Sequence, residues 1–547
     1  MANYVIKGGF EEARCKLACP AGIDVPRYIR AIRLGQYDNA LRVVREKIPF
    51  PAVCAYVCPR LCEMKCRRAD VDEPVAINAL KRFVVDKIQF KPDTKSTTSS
   101  GKKVAIVGSG PAGLTAAYYL FRICGHQVTV FEARAKIGGM LEGGIPPYRL
   151  PRDVLGKELD MIKGLGIEIK TGIKIDKPES LLEQGFNAVL VAVGAWKGIK
   201  IGIPGEENHG VLDGLDFLNK ANSANTINLG INVAVIGGGN VAVDAARTAL
   251  RMGAKNVSII YRRGSEEMPA RKDEIEQALD EGVKIIALTM PTKILRMGKQ
   301  LQVYVVRTSL GGIDNSGRRS FEVIQETQYA LNFDNIIIAI GETPVLESDT
   351  KLARDKNGTI IVDPVTLATN IPGVYAAGDA VSGPATVIEA IAAGRKAAQS
   401  IDLYLNGNGI IDEVFSSPEK LKMESWDESI LDISRRRMPE QDRLERINNF
   451  DVVEIGFTED LARIESERCL RCDLNLPVTI DTRNCIHCYI CQQVCSFTYQ
   501  HSYNPEKARI IVGYWPKKIH FSGDCIGGCS LCAKYCTTEA ITVGAKT

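Results

Sequence analysis

The sequence predicts a multidomain protein: an N-terminal α-helical domain that bears cysteines, two α/β domains with parallel sheets, and a C-terminal α+β domain again rich in cysteine. Its 547 residues are too many for one hydrophobic core. From Lys102 onward, short β-branched runs alternate with helical segments, as in parallel sheets with crossover helices. Most of the 17 cysteines fall into spaced groups near the two ends, and two glycine-rich loops lie between them.

The bulk composition excludes several classes of protein. Hydrophobic residues make up 45% of the chain and charged residues 24%, as in ordinary globular proteins. The net charge of +4 is too small to argue for a nucleic-acid partner. No apolar run reaches the roughly 18 residues of a membrane span, and the start, MANYVIKGGFEEA, lacks the pattern of a secretory signal. We therefore expect a cytoplasmic protein whose clustered cysteines are metal ligands rather than disulfides.

The pattern along the chain predicts its domain boundaries. The polar, Ser/Thr-rich stretch 91–101 is typical of a linker. Further on, Thr458 is predicted to cap a helix with Glu459 and Asp460 in its first turn, where negative charge suits the helix dipole. We expect a helical domain with its linker at 1–100, a first α/β domain in two parts at 101–230 and 346–405, a second at 231–345, a connecting arm at 406–468 and a cysteine-rich domain at 469–547.

The first glycine-rich loop, VAIVGSGPAGL, lies between a predicted strand and a predicted helix. Gly108 makes the tight turn, Gly110 lets the backbone approach a pyrophosphate, and Gly113 lets the helix pack closely on the strand. The helix N-terminus, with Pro111 and Ala112, then faces the phosphates with free N–H groups. The sequence therefore predicts a dinucleotide site of the Rossmann type.

Two further segments complete this predicted site. Glu132 ends the next strand, where its carboxylate is placed to accept hydrogen bonds from ribose hydroxyls. Far downstream, Asp379 follows Gly378 at a strand end, where it either holds the ribityl and phosphate side of a flavin or is a turn residue. A helix predicted to begin near Ala385 and Thr386 would direct its N-terminal dipole at the flavin ring and stabilise a reduced flavin's negative charge.

The second glycine-rich loop, VAVIGGGNVAVDAA, has the same register, with the equivalent positions Gly237, Gly239, Asn240 and Ala242. No acid ends the following strand, which continues instead into Tyr261-Arg262-Arg263. Guanidinium groups suit a 2′-phosphate, so NADP is favoured over NAD. The alternative is a solvated arginine pair. Arg271 is a weaker candidate for additional charge at this site.

The last part of the chain contains two cysteine runs with ferredoxin-like spacing. The first is C-x2-C-x2-C-x3-C with Ser496 in place of the usual proline, and the second has one extra residue in its first gap. In two-cluster ferredoxins the fourth cysteine of each run binds the other cluster. We therefore expect two 4Fe–4S clusters, with structural zinc as the alternative, held by Cys485, Cys488, Cys491 and Cys536 and by Cys525, Cys529, Cys532 and Cys495.

These motifs together resemble the two-dinucleotide-domain flavoproteins and, more narrowly, the small subunit of glutamate synthase and its relatives. Among these are the NADPH half of dihydropyrimidine dehydrogenase and the large subunit of the ferredoxin-dependent transhydrogenase. The resemblance covers roughly residues 12–472, through CPAGIDVPRYI, VCPRLCEMKC, GGIPPYRLP, YRRGSEEMPAR, AIGETP and GFTEDLARIESERCLRC. It implies FAD in the first α/β domain, NAD(P)H in the inserted second one, and a place near the flavin ring for residues 144–151.

The resemblance also implies an N-terminal 4Fe–4S cluster, with zinc as the alternative, held by Cys19, Cys58, Cys62 and Cys66. Relatives with a second N-terminal cluster carry two more cysteines upstream and a glutamine further on. Lys7, Phe10 and Arg82 stand at or near those positions here, so we expect that cluster to be absent in its family form. The thiols left over either close one more site, if the arm folds back, or are ordinary buried thiols; they are Cys15, Cys54, Cys469 and Cys472.

The parts predict an iron–sulfur flavoprotein oxidoreductase. Hydride would pass between nicotinamide and flavin without a protein acid or base, and single electrons would reach at least three clusters. The stretch CQQVCSFTYQHSYNPEKARI resembles the electron-transfer subunits of molybdenum or tungsten oxidoreductases and hydrogenases. That resemblance implies a hetero-oligomer with such an enzyme, or a ferredoxin, as partner. The alternatives are a non-catalytic electron-wiring or scaffold subunit and a glutamate synthase small subunit, against which the added ferredoxin-like domain argues.

Overall fold

The computed structural model places the described residues in two compact units. One, the cysteine-rich unit, comprises Met1–Lys91, Asp412–Pro439 and Gly456–Thr547. The other, the α/β unit, comprises Pro92–Ile411 and Glu440–Ile455. Over the part of the chain that is described, no helix is both long and apolar enough to cross a membrane. The structure describes all residues except 1–3, 7–11, 89–97, 224–226, 314–317, 348, 417–431, 473–477, 481–484, 486–487, 501–503, 505–507, 509, 513–518, 522–530, 539 and 544–547.

The N-terminal part of the cysteine-rich unit is helical, as the sequence predicts, apart from a short strand at Tyr4–Ile6. The second helix begins where the Asp24 carboxylate accepts the N–H of Arg27, with a proline in the first turn. The buried sides of the helices form an apolar core around Ile32, Val44 and Leu80. The helices are Arg14–Leu17, Val25–Arg33, Tyr37–Arg45, Pro51–Val57, Leu61–Met64 and Ile77–Lys87, with a 3₁₀ turn at Arg67–Asp70.

The C-terminal part of the cysteine-rich unit mixes short helices and strands. Helix Glu459–Glu467 begins where Thr458 accepts the N–H of Leu461, which confirms the predicted cap. The later helices are Ile490–Gln500 and Leu531–Lys534. Strand Val478–Ile480 pairs antiparallel with Tyr4–Ile6 on one side and Ile541–Val543 on the other, and Ile510–Val512 pairs with Ile519–Phe521.

The first sheet of the α/β unit has five parallel strands. β-Branched runs of this kind are buried on both faces of a sheet, so helices are required on both sides. The strand that leads into the first glycine loop, Lys103–Val107, is its central strand. Helices Pro111–Arg122 and Val387–Tyr404 pack against each other beside it, and Gly394 permits this close approach. The strand order is Val374–Ala376, Ala188–Val191, Lys103–Val107, Gln127–Glu132 and Glu168–Thr171.

The second sheet also has five parallel strands, in the order Lys284–Ile286, Asn256–Ile260, Asn232–Ile236, Asn335–Ile338 and Val211–Asp213. The edge strand Val211–Asp213 precedes residue 231, at which the sequence-based prediction started the second α/β domain. An antiparallel sheet adjoins it, built from Thr289–Met297, Gln300–Ile313, Arg319–Val323 and Tyr329–Phe333. Lys197–Gly198 pairs with Glu342–Thr343 in a two-stranded ribbon.

Helices cover both parallel sheets. Residues 440–455 of the predicted arm belong to this unit and include the short helix Arg443–Arg446. The remaining helices of the unit are Met140–Gly143, Arg152–Lys163, Ser180–Glu183, Gly214–Asn222, Asn240–Arg251, Lys272–Asp280 and Asp379–Ser382, with a 3₁₀ turn at Ser265–Glu267.

Candidate functional site

The first glycine loop forms an open cradle at the start of helix Pro111–Arg122. Gly108 has φ +108°, and a Cβ there would lie 2.3 Å from the carbonyl oxygen of Ala192. A Cβ on Gly113 would lie 2.1 Å from the carbonyl oxygen of Gly108, so helix and strand pack as closely as the sequence predicts. At Gly110, in contrast, no atom lies within 4 Å of the Cβ position. The loop therefore offers free space and helix N–H groups to a pyrophosphate.

The carboxylate of Glu132 is buried beside this loop. One oxygen accepts the backbone N–H of Ser109 at 3.0 Å and also its hydroxyl, and the other accepts the N–H of Arg134 at 2.8 Å. These bonds fix the carboxylate at the strand end. Its remaining lone pairs can accept hydrogen bonds from a ribose.

The downstream segment meets the first loop in the folded chain. A Cβ on Gly378 would lie 3.0 Å from the side chain of Ala112, although the two residues are far apart in sequence. The carboxylate of Asp379 accepts the N–H of Ala385 at 3.3 Å, and burial raises its pKa to about 6. Asp379 thus follows directly after a glycine that lies against the first loop.

Thr386 begins helix Val387–Tyr404, near the predicted start. Its hydroxyl accepts the N–H of Glu389, and the Glu389 carboxylate in turn accepts the N–H and O–H of Thr386. The first N–H groups of a helix have no intrahelical acceptor, and in this capping box side chains accept those of Thr386 and Glu389. The N–H groups of Val387 and Ile388 are then the ones without an intrahelical partner.

Glu342 is an acidic residue of this region that the sequence analysis did not single out. Burial, followed by the charges of Asp213 and Asp379, raises its pKa to about 7. The AIGETP motif contains this residue, but only the fold shows that three carboxylates approach one another here.

The second glycine loop repeats the geometry of the first. Gly237 has φ +146°, and a Cβ there would lie 2.0 Å from the carbonyl oxygen of Ala339. No atom lies within 4 Å of the Cβ position of Gly239. Asn240 accepts the N–H of Arg271 at 3.3 Å, and Ala242 is fully buried in the helix that follows. This loop therefore also offers a cradle that fits a pyrophosphate.

The arginines after the next strand have different environments. Arg262 is exposed as a whole residue, with its guanidinium 4.7 Å from the ring centre of Phe321. Partial burial of that guanidinium, and then the charge of Arg263, lower its pKa. Arg263 is buried and donates from Nε to the carbonyl of Arg319 at 2.5 Å. Arg318, which sequence reasoning missed, lies within electrostatic range of Arg262.

Arg271 does not supply free charge to this site. Its guanidinium forms ion pairs with Asp273 and with Glu274, the latter at 3.2 Å. The sequence-based suggestion that it adds positive charge for a phosphate is therefore not supported, because nearby carboxylates compensate its charge.

The segment at residues 144–151 contacts the helix that follows the second loop. Arg149 places Nη1 2.6 Å from Asp244 and Nη2 2.5 Å from Glu274, and both carboxylates are buried. The hydroxyl of Tyr148 donates to the carbonyl of Asp244 at 3.2 Å. The segment thus joins the two α/β domains, a role that no local pattern indicates.

The N-terminal cysteines fall into two groups. The first group lies near Lys81 and consists of Cys58, Cys54, Cys62 and Cys19. Burial lowers the pKa of Lys81, but these four thiols raise it above its ordinary value. Cys66, the fourth ligand predicted from the family, instead lines a cavity together with Cys15, Cys469 and Cys472. Thiolates are the ligands that iron–sulfur clusters need, so both groups fit such a group chemically.

Several of the described C-terminal cysteines lie close to one another. Burial, and the charges of Cys488, Cys485 and Cys536, raise the pKa of Cys491 to about 11. These four are one predicted ligand set. Cys495 and Cys532, from the other predicted set, are buried in the same hydrophobic cluster as Cys491. Cys525 and Cys529 lie outside the described residues.

Comparison with known proteins identifies two families along the chain. Residues 102–394 match the pyridine nucleotide-disulphide oxidoreductase family, and residues 10–92 match the dihydropyrimidine dehydrogenase domain II, 4Fe-4S cluster family. The chain is 41% identical over 502 residues to the NADP(+)-dependent formate dehydrogenase subunit beta of Moorella thermoacetica, covering 85% of this chain and 71% of that protein.

Two further similarities agree with these matches. The glutamate synthase (NADPH) small chain of Escherichia coli is 33% identical over 423 residues, covering 72% of this chain and 88% of that protein. The structure of Mycobacterium tuberculosis FprA in complex with NADPH aligns with a TM-score of 0.50 and 20% identity, covering 56% of this chain and 85% of that chain, and shows the fold alone. The chain therefore belongs to the pyridine nucleotide-disulphide oxidoreductase family, as an NAD(P)H-dependent iron–sulfur flavoprotein of the glutamate synthase small-chain type.

Proposed function

We propose that this chain transfers electrons between NADPH and a partner oxidoreductase subunit or a ferredoxin, by way of FAD and iron–sulfur clusters. The observation that carries the proposal is the pair of open glycine cradles in one unit, combined with the grouped thiols of the other. When bound, these groups supply the chemistry: NADPH and two oxidised clusters give NADP⁺, a proton and two reduced clusters, with FAD as the intermediate carrier.

FAD is proposed to bind at the first cradle. The loop and the helix N-terminus hold the pyrophosphate, Glu132 accepts the ribose hydroxyls, and Asp379 orients the ribityl side. Support comes from the free space at Gly110 and from the approach of Gly378 to the same loop. The proposed contact residues are Gly108, Gly110, Pro111, Ala112, Gly113, Glu132, Gly378, Asp379 and Thr386.

NADP, rather than NAD, is proposed to bind at the second cradle. Arg262 is exposed at the strand end, and Arg263 and Arg318 concentrate positive charge around it. A 2′-phosphate would neutralise that charge. The relative from Moorella is NADP(+)-dependent by name, which agrees. The proposed contact residues are Gly237, Gly239, Asn240, Ala242, Arg262 and Arg263.

At least three 4Fe–4S clusters are proposed in the cysteine-rich unit. Cys19, Cys58 and Cys62 hold the N-terminal cluster with a fourth cysteine. Two more are proposed in a ferredoxin-like domain at 469–547, one held by Cys485, Cys488, Cys491 and Cys536 and the other by Cys525, Cys529, Cys532 and Cys495. The proximity of the first of these sets supports that pairing.

The chain is proposed to work as one subunit of a hetero-oligomer in the cytoplasm. The relative from Moorella is a subunit of a formate dehydrogenase, which supports a molybdenum or tungsten enzyme, a hydrogenase or a ferredoxin as partner. The proposed domains are those expected from the sequence: helical at 1–100, FAD at 101–230 and 346–405, NADPH at 231–345, an arm at 406–468 and ferredoxin-like at 469–547.

The test is reduction of a dye by anaerobically purified protein. We expect about one FAD per chain, bleaching of the flavin by NADPH, and dye reduction that is faster with NADPH than with NADH. Protein that contains flavin and iron but reduces no dye with either coenzyme would support a non-catalytic wiring subunit instead.

A further inference from the structure

Four cysteines from distant parts of the chain line one cavity in the cysteine-rich unit. They are Cys15 in the first helix, Cys66 before the 3₁₀ turn, and Cys469 and Cys472 after helix Glu459–Glu467. We propose that these four thiolates hold an additional 4Fe–4S cluster. The site itself follows from the geometry, and only its use in electron transfer rests on the proposed function.

The spacing of the thiols favours a cluster over a single ion. Four sulfurs around zinc lie about 3.8 Å apart, because each Zn–S bond is about 2.3 Å in a tetrahedron. Among the described residues, the one group with three metal-binding atoms within 4.8 Å of one another is Cys124, His126 and Asp402. No three of the four cavity thiols are that close. A cubane, whose four ligands bind separate corners, spaces its sulfurs more widely.

Buried ion pairs fix the segment that carries two of these cysteines. Arg468 is fully buried, with Nη2 2.9 Å from Asp72 and Nη1 2.8 Å from Glu465. Arg68, also fully buried, pairs with the same Asp72 at 2.6 Å and donates to the carbonyl of Arg468. These ion pairs therefore hold the segment at 465–472 against the loop that follows Cys66. The two segments lie on either side of the cavity.

The charge around the cavity suits an anionic group. Arg14, Arg67 and Arg68 are among the lining residues, together with apolar side chains such as Val25 and Ile29. A cluster with four thiolate ligands carries net negative charge in its usual oxidation states, and nearby guanidinium groups stabilise such charge.

This assignment also explains Cys54. If Cys66 belongs to the additional site, the N-terminal cluster needs another fourth ligand. Cys54 is fully buried in helix Pro51–Val57, one helical turn before Cys58, which ends that helix. We therefore assign Cys54 to the N-terminal cluster. Eight cysteines then form two complete sets, with none left over in this part of the unit.

The position of the site suits a relay. Leu470 and Cys472 pack in the hydrophobic cluster that contains Cys491, Cys495 and Cys532. On the other side, Cys62 is within electrostatic range of Cys15. The additional cluster would thus stand between the N-terminal cluster and the C-terminal ones, where single electrons must pass if both ends are used.

The experiment compares full-length, anaerobically reconstituted protein with a Cys469→Ser, Cys472→Ser double variant. Iron and acid-labile sulfide are measured per FAD, together with the electron paramagnetic resonance spectrum after reduction. We expect about 16 iron atoms per chain in the unaltered protein and about 12 in the variant, with one spectral component lost. The FAD content should be unchanged. The matched control is Cys124→Ser, a half-buried cysteine of the α/β unit, which should keep all its iron.

Two single variants test the ligand sets. Cys66→Ser should remove the same spectral component as the double variant, whereas Cys54→Ser should remove the component that Cys58→Ser removes. Unchanged iron in the double variant, or the loss of one zinc instead of iron, would overturn the proposal. A count of about 12 iron atoms per chain in the unaltered protein would also overturn the proposal. That measurement does not depend on whether any variant folds. Failure of dye reduction in the unaltered protein would instead contradict the proposed function and leave the iron count intact.

Discussion

Arg149 Nη1 lies 2.6 Å from Asp244 Oδ2, and this buried pair connects the segment proposed to lie near the flavin with the helix that follows the nucleotide loop of the second α/β domain. The other terminal nitrogen of Arg149 lies 2.5 Å from Glu274. One guanidinium therefore compensates two buried carboxylates. The contact sets how the two α/β domains meet within their unit.

Arg149→Met should lower the free energy of unfolding by about 3–5 kcal/mol at pH 8, because buried Asp244 loses its paired cation and buried Glu274 keeps only Arg271. Burial already raises the pKa of Asp244 to about 6, although Arg149 opposes that rise. Without Arg149 the pKa should rise further. A carboxyl whose folded pKa exceeds its unfolded pKa contributes stability at low pH, which is lost as pH rises through the folded value. The loss should therefore be smaller at pH 5.5, as measured by denaturant unfolding at both values.

Lys157→Met is the control for this variant. Lys157 forms an exposed pair with Asp153 at 3.4 Å, so its removal should change the free energy of unfolding by less than about 0.5 kcal/mol at either pH. An equal loss at pH 8 and pH 5.5 for Arg149→Met would show that the carboxylates are not the cause.

Arg262→Ala should raise the KM for NADPH about 10- to 100-fold and leave the KM for NADH within about twofold. The reason is the loss of a charge-assisted hydrogen bond to the 2′-phosphate, worth about 1.5–3 kcal/mol. Steady-state dye reduction with each coenzyme gives both values. Arg307→Ala is the matched control, because Arg307 is also exposed and also lies over an aromatic ring, 5.3 Å from the centre of Tyr329. Equal effects on the two coenzymes would contradict phosphate recognition by Arg262.

Glu342→Gln should stabilise the protein at high pH and have little effect at low pH. Burial and two neighbouring carboxylates raise the pKa of Glu342 to about 7, so its ionisation opposes folding as pH rises from about 4.5 to 7. Glutamine stays neutral, and the gain should reach on the order of 2 kcal/mol at pH 8. Thermal unfolding from pH 5 to pH 8 measures the difference. The exposed Glu276→Gln should shift stability by no more than about 0.5 kcal/mol, and a gain for Glu342→Gln that does not grow with pH would count against this account.

Gly110→Ala should remove FAD without unfolding the α/β unit. The Cβ position at Gly110 has no atom within 4 Å and the residue has φ −73°, so alanine fits the protein but occupies the space proposed for the pyrophosphate. We expect bound FAD to fall below about a tenth of the normal content, and unfolding of the apoprotein to change by no more than about 1 kcal/mol. Gly156→Ala, at another open position within a helix, should keep its FAD. Full flavin content in Gly110→Ala would contradict the proposed site.

The features that sequence reasoning predicted well depend on neighbours along the chain. The strands and helices around both glycine loops, the caps at Thr458 and near Thr386, and the tight packing at Gly108 and Gly113 all lie where the local pattern indicates. The family was identified from the same motifs, and the comparisons confirm it. The packing of Gly113 on Gly108 joins two residues of one motif, although Gly108 also lies against the distant Ala192.

The features that sequence reasoning missed are contacts between distant segments. The strand at Tyr4–Ile6 is too short to recognise alone and is defined by its pairing with Val478–Ile480. Arg318, which precedes strand Arg319–Val323, lies within electrostatic range of Arg262, and the carboxylates of Asp273 and Glu274 pair with Arg271. Spacing within CKLAC or VCPRLCEMKC does not show which thiols face each other.

The sequence by itself determined the family and the two nucleotide loops, because each depends on residue type at short spacing. Only the tertiary structure decided how the thiols are grouped, that carboxylates pair with Arg271, and how Arg149 contacts the helices of the second α/β domain. Those outcomes depend on which buried charges and sulfurs approach one another after folding, and that is fixed by packing across hundreds of residues rather than by any local pattern.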